Sequence, residues 1–192
     1  MLSDLNIDKT AFVHKSSKIY GKVKIGYGSS VWPNVVIRSE MHEVVIGSHT
    51  NIQDFSMIHV GASTGTYIGD YCSITHHCTI HGCIIEDNCL IGINSTIMDG
   101  AKIGKNSIIA GGSFVKEGME VPENSIVMGI PASVKKTKNN FIQNRFNAFM
   151  YKINGESYAR GEYRAWEGKN FEEKAKKQMK KIIEEFEKIN NS

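Results

Sequence analysis

The 192-residue chain contains no run of apolar residues long enough to cross a membrane as a helix. Its first ten residues have no apolar core, so no signal peptide is expected. An excess of one charge is also missing. Lys and Arg number 23 against 20 Asp and Glu, a net charge of +3. That is too little to argue for nucleic acid or an anionic membrane surface as a partner. No basic stripe with interleaved aromatics occurs. Cysteine is scarce, at four residues. Three of them, Cys72, Cys78 and Cys89, fall at one repeat position, which fits buried free thiols acting as small hydrophobes; Cys83 does not share that spacing. Reduced thiols give the expectation of a cytoplasmic protein. The length suits one domain with an appendage.

What the sequence does have is a six-residue beat. Aliphatics recur at Val13, Ile19, Ile25, Val31 and Ile37, then at Ile46, Ile52 and Ile58, and then at Ile68, Ile74 and Ile80. The series continues from Ile85 through Ile91, Ile97, Ile103, Ile109, Val115, Val121 and Val127. Four residues after most of them stands a small residue, such as Thr50, Ser56, Ser95, Ala101 or Ser107. A hexapeptide period is the signature of a parallel β-helix, here read as a three-sided prism with about 18 residues per coil and about six coils. The large aliphatic fills the core, and the small residue fits where two faces meet. The expected fold is all-β, a parallel β-helix over residues 11–133 with C-terminal α-helices over residues 134–192.

In the appendage, Ile142, Phe146, Phe149, Met150 and Ile153 have helical spacing, as do Phe171, Ala175, Met179, Ile182, Phe186 and Ile189. This predicts two amphipathic helices joined across Gly155–Gly168, their apolar stripes packed on the prism or on a neighbouring subunit. Asn170 with Glu173 resembles a capping pair for the second helix. The lysines from Lys174 to Lys181 read as a solvated face.

The beat slips three times between residues 38 and 85, by three extra residues, four extra and one missing. Such irregularities map to corner loops, and six of the seven histidines lie in the same stretch. Arg38, His59 and His81 each follow an aliphatic of one face, so they form an outward column in three successive coils. Strands stack about 4.8 Å apart, close enough for two imidazoles to share one ion at about 2.0–2.1 Å. His76 belongs to the preceding face, whose outward direction diverges by roughly 120°. It reaches that column from a neighbouring copy in a cyclic trimer. The other reading of these three residues is ordinary surface histidine, and spacing alone leaves both open.

The stretches Asn51-Ile52-Gln53-Asp54, Ser56-Met57-Ile58-His59 and Thr75-His76-His77-Cys78-Thr79-Ile80-His81-Gly82-Cys83 resemble the gamma-class carbonic anhydrase family and its bacterial relatives encoded in phenylacetate and carnitine gene clusters. The similarity covers most of residues 11–133. It implies a left-handed β-helix and a homotrimer. It also implies a divalent metal, usually zinc with iron or cobalt as alternatives, on His59 and His81 of one subunit and His76 of the next. Gln53 matches the glutamine that bonds the metal-bound solvent, and Arg38 and Asp54 match an intersubunit ion pair. His77 matches no ligand. The implied reaction is reversible hydration of CO2 to bicarbonate by a metal-bound hydroxide.

Two departures stand out. Arg38-Ser39-Glu40 replaces Arg-Gly-Asp, so the Glu40 carboxylate, a candidate aid to proton movement, is displaced by about one bond, roughly 1.5 Å. The segment Val60–Thr66 is short and carries no acid, where the archetypal enzymes have a longer acidic loop. Three alternatives therefore stand beside CO2 hydration. The metal site could attack another activated carbonyl. The chain could be a CoA-dependent acyl- or acetyltransferase, since Gly129-Ile130-Pro131-Ala132 resembles the segment closing those coils. It could also be a non-catalytic trimeric scaffold.

Overall fold

The computed structural model describes residues 4–191. The hexapeptide aliphatics form three in-register stacks, one per face. Ile37, Ile58, Ile80, Ile97 and Val115 pair in succession on the first. Ile52, Ile74, Ile91, Ile109 and Val127 do so on the second, and Ile46, Ile68, Ile85, Ile103 and Val121 on the third. These pairings are all parallel. The strands Lys18–Ile25 and Val36–Ile46 run around a corner, so two faces join as one eleven-stranded sheet beside an eight-stranded one. Ile37, Ile52, Ile58, Ile74, Ile80 and Ile91 are fully buried, and with their stack-mates they form the core.

Local chemistry explains the corners. The third residue after most of the aliphatics takes positive φ, as at Asn34, Asn88, Asn94, Asn106 and Asn124. Asn tolerates this conformation better than most residues. His shares some of that tolerance but Phe and Tyr do not, yet Phe55 and Tyr71 stand at equivalent positions beside His49 and His77. They pair one coil apart, with Phe55 stacked on His77 at 5.0 Å and His49 on Tyr71 at 4.9 Å. The small inward slot is buried throughout, including Thr50, Ser56, Cys72, Cys78, Cys89, Ser95 and Ala101. Cys83 is also buried. The single-residue deletion after Ile80 brings it into the same slot two residues before Ile85, with Gly82 (φ +55) making the shortened corner. Burial pushes the Cys83 thiol up to about 12.

Four features differ from the sequence expectation. The first is the extent of the strands, which begin at Asn6–Ile7 and end with Ala132–Thr137 antiparallel to Ser125–Gly129. Helix α1 spans Phe141–Ala159 and passes through Gly155, which was expected in a connection. Helix α2, Lys169–Asn190, starts after Gly168, and no side chain caps it, so Asn170 lies inside the helix. The fourth difference concerns docking. The fully buried residues of α1 are Phe141, Asn144, Ala148, Gly155 and Ser157 rather than the apolar stripe. The prism presents backbone carbonyls at its corners, and Asn144 donates its amide to the carbonyls of Asn88 and Ser107 at 2.9 and 3.2 Å. Gly155 lets the helix approach Phe12 and Ser30. Helix α2 meets α1 through Phe141, which stacks on Phe186, and Arg145, which pairs with Glu185 at 3.0 Å.

Candidate metal centre

His59 and His81 are register partners on adjacent strands, with Arg38 next in the same column. The strands that hold them, Met57–His59 and Thr79–His81, are fixed from within by buried Ile58 and Ile80. The outward residues therefore stack at the interstrand spacing. The Nδ1 atom of His59 stands 3.0 Å from Nε2 of His81.

Each ring's other nitrogen meets a carboxylate. His59 Nε2 lies 2.9 Å from Glu40 Oε2, and His81 Nδ1 lies 2.8 Å from Asp99 Oδ1. Desolvation works against the Glu40 charge, but the His59 hydrogen bond and the Arg38 guanidinium outweigh it and hold the carboxyl below its usual range. An ionised carboxylate only accepts hydrogen bonds, so the nitrogens facing Glu40 and Asp99 carry the protons. In neutral rings the two nitrogens that face each other are then both lone pairs. Lone pairs 3.0 Å apart repel unless a positive centre lies between them, either a proton taken up by one ring or a metal cation. Two ligands of a tetrahedral ion at about 2.0–2.1 Å would be separated by about 3.3 Å. The observed spacing is close to that, so the pair fits a metal.

His76 repeats the pattern, with Nδ1 3.1 Å from Asp54 Oδ2. All three expected ligands thus have one nitrogen close to a carboxylate, hydrogen-bonded to it in His59 and His81, an arrangement typical of metal-binding histidine because it fixes the tautomer and orients the ring. His76 does not join the other two within the chain. Among the described residues no group of three His, Cys, Asp or Glu side chains is placed to hold an ion. Within one chain the His59–His81 pair and His76 stand apart.

The remaining expected residues fall as follows. Glu40 is brought to His59 by the three-residue insertion, and Ser39 anchors that bend by donating to the Lys22 carbonyl at 2.8 Å. Arg38 pairs with Glu40 in the same chain, not with Asp54. Gln53 is buried and donates to Asn51 Oδ1 at 2.8 Å. The segment before Ile68 is tied back by Thr66, whose hydroxyl donates to the His59 carbonyl at 2.5 Å. The other histidines serve elsewhere: His14 bonds Ser16, His42 lies 3.3 Å from the Ala62 carbonyl, and His49 and His77 stack at corners. Asp99 escaped the sequence reading. Its signal was an offset of 18 residues from His81, one residue beyond the 17-residue coil that the deletion leaves there.

Comparisons with known proteins agree with this architecture. Residues 82–117 match the family described as bacterial transferase hexapeptide (six repeats). Gamma carbonic anhydrase 1, mitochondrial, of Arabidopsis thaliana is 43% identical over 105 residues, covering 52% of this chain and 38% of the relative. A Methanocaldococcus jannaschii protein named as a probable carbonic anhydrase is 48% identical over 91 residues, covering 47% of this chain and 57% of the relative. The chain therefore spans less than two thirds of either curated relative. Among solved structures, a hexapeptide transferase family protein from Anaplasma phagocytophilum superposes with a TM-score of 0.77 at 30% identity, covering 80% of this chain and 92% of that one.

Proposed function

The chain belongs to the gamma-carbonic-anhydrase-like family of hexapeptide-repeat proteins, and we propose that it is a metal-dependent enzyme of that kind, hydrating CO2 reversibly at the interfaces of a homotrimer. The observation that carries this reading is the pair of imidazole nitrogens 3.0 Å apart on one surface, each ring's other nitrogen on a carboxylate. On another surface stands His76, likewise held by a carboxylate. His59 and His81 of one subunit and His76 of the partner subunit would hold the ion. Three neutral imidazoles suit zinc, with Fe2+ or Co2+ as alternatives. Such an ion supplies a Lewis acid that makes water a nucleophile near neutral pH.

The chain's own groups do the rest. Gln53 orients the attacking solvent. Glu40, half exposed and bonded to His59, carries the released proton towards bulk water. This compensates for a loop that has no acid between Val60 and Thr66. Arg38 and Asp54 fix the register of the subunits by pairing across the interface, which draws Arg38 away from Glu40. A pair of this kind contributes more to register than to net stability. Four buried free thiols suit a reducing compartment, and we place the protein in the cytoplasm. Among the described residues no helix is long and apolar enough to cross a membrane.

A second reading, CoA-dependent acyl transfer, is favoured by the transferase family name of the structural relative. The test is to purify the protein without a His tag, measure metal per subunit, and assay CO2 hydration and acetyl-CoA turnover beside His81→Ala. The proposal expects about one ion per subunit, with metal and hydration both lost in the variant. Acetyl transfer without metal supports the second reading. Metal retained with no turnover means a scaffold. Equal metal in the wild type and His81→Ala removes the ligand assignment.

A further inference from the structure

We infer that Asp99 is a positioning residue for the metal centre, holding His81 in the tautomer whose Nε2 lone pair faces the ion. The inference rests on the metal reading above, but its evidence is separate. Asp99 lies one coil beyond His81, and its Oδ1 is 2.8 Å from the His81 Nδ1. That bond requires the proton on Nδ1 and leaves Nε2 free to face His59.

Asp99 is held where it is by two missing side chains. A Cβ on Gly82 would stand 2.0 Å from Asp99 Oδ1, and a Cβ on Gly61 would stand 2.3 Å from it. Both lie far inside contact distance, so the carboxylate oxygen fills the space these glycines leave open. Thr64 closes the same space, with its hydroxyl donating to the Gly82 carbonyl at 3.0 Å. Gly100, next to Asp99, donates its own N–H to that carbonyl at 2.8 Å. The deletion after Ile80 and the insertion after Ile58 thus build one small cradle. Glu40 has no comparable cradle on the other side, since it is half exposed beside Arg38 and His59. The short loop that lacks an acid therefore admits an acid from the neighbouring coil.

The test uses the intact protein, zinc as the probe, and three variants: Asp99→Ala, Asp99→Asn and Gly61→Ala. Gly61→Ala keeps the carboxylate but puts a methyl group into its place, and Gly61 lacks the positive φ that would strain alanine. Zinc affinity is measured by chelator competition, and the His81 tautomer by 15N NMR of the zinc-free protein. The expected result is that Asp99→Ala and Gly61→Ala bind zinc about 10–100-fold more weakly than wild type. Asp99→Asn, which keeps an acceptor oxygen, loses less. In the zinc-free wild type the His81 proton sits on Nδ1, and in Asp99→Ala that preference is lost. If wild type binds zinc and all three variants match it with the tautomer unchanged, the inference is overturned while the metal reading stands. If wild type itself binds no zinc, both are overturned. Melting curves separate a variant that fails to fold, and Asp99→Asn and Gly61→Ala then decide.

Discussion

Histidine serves two purposes in this chain, and the surroundings of each ring decide which. His59, His76 and His81 each face a carboxylate and retain one free nitrogen. His49 faces aromatic rings, stacked on Tyr71 and edge-on to Tyr27 at 5.3 Å. Burial and the Lys152 charge lower its pKa, and Asp70 opposes them only in part. The sign of the consequence is definite. Below about pH 6.5 the unfolded chain takes up a proton that the folded ring refuses. The stability His49 contributes is therefore fully present above the unfolded value and is lost as pH falls through the folded one. Replacing His49 by Asn, which tolerates the positive φ of 55°, removes that titration. Wild type should lose melting temperature more steeply than His49→Asn from about pH 6.5 downward. Lost stacking would lower the variant's curve at every pH, so the slope is the readout, and parallel curves would refute the assignment.

At the scale of elements, α1 docks on the prism through a mixed face, with Asn144 and Gly155 beside Tyr151 and Tyr158, which meet Trp32 and Phe12 edge-on. Gly155 sits over the first two coils, and a Cβ there would lie 3.3 Å from Ser30 Cβ and 3.4 Å from Phe12 Cβ. Ala in place of Gly would gain about 1 kcal/mol of helix propensity and spend part of it on that contact, so Gly155→Ala should stay within about 1 kcal/mol of wild type. Gly155→Leu has no room and should cost about 1–3 kcal/mol by overpacking. Thermal melting checks both, and a Leu variant that melts with wild type would mean the helix is not held there. This element also marks where the sequence became unreadable. The strands were legible because each hexapeptide repeats one physical environment, so the Ile stacks and small slots could be counted in advance. The column of His59 and His81 followed from the same counting. The docking face of α1 did not, because part of it rests on corner carbonyls that no periodicity reports, and Ile142, Phe146 and Met150 outweighed Asn144 in any pattern. Asp99 was hidden for a related reason: its partner is a coil away, and only a loop deletion and two glycines bring them together.

On the scale of the whole molecule, a solenoid with a threefold partner can divide one site between two surfaces. His59 and His81 cannot supply a third imidazole themselves, and His76 is a corner away in the same chain. The proposed division makes a strong prediction about mixtures. Chains carrying His76→Ala and chains carrying His81→Ala should each form trimers that bind no metal, because every interface lacks one ligand. Co-expressed and mixed at random in equal amounts, three quarters of the trimers contain both kinds of chain. In each of these, one interface of three joins an intact His59–His81 pair to an intact His76. The mixture should therefore recover about a quarter of the wild-type metal content, with hydration activity in the same proportion. If the three histidines acted within a single chain, no interface would be complete and the mixture would bind nothing. If His76 were not a ligand, the His76→Ala chains alone would bind metal fully. The measured fraction distinguishes all three cases, and it depends only on how the ligands are shared.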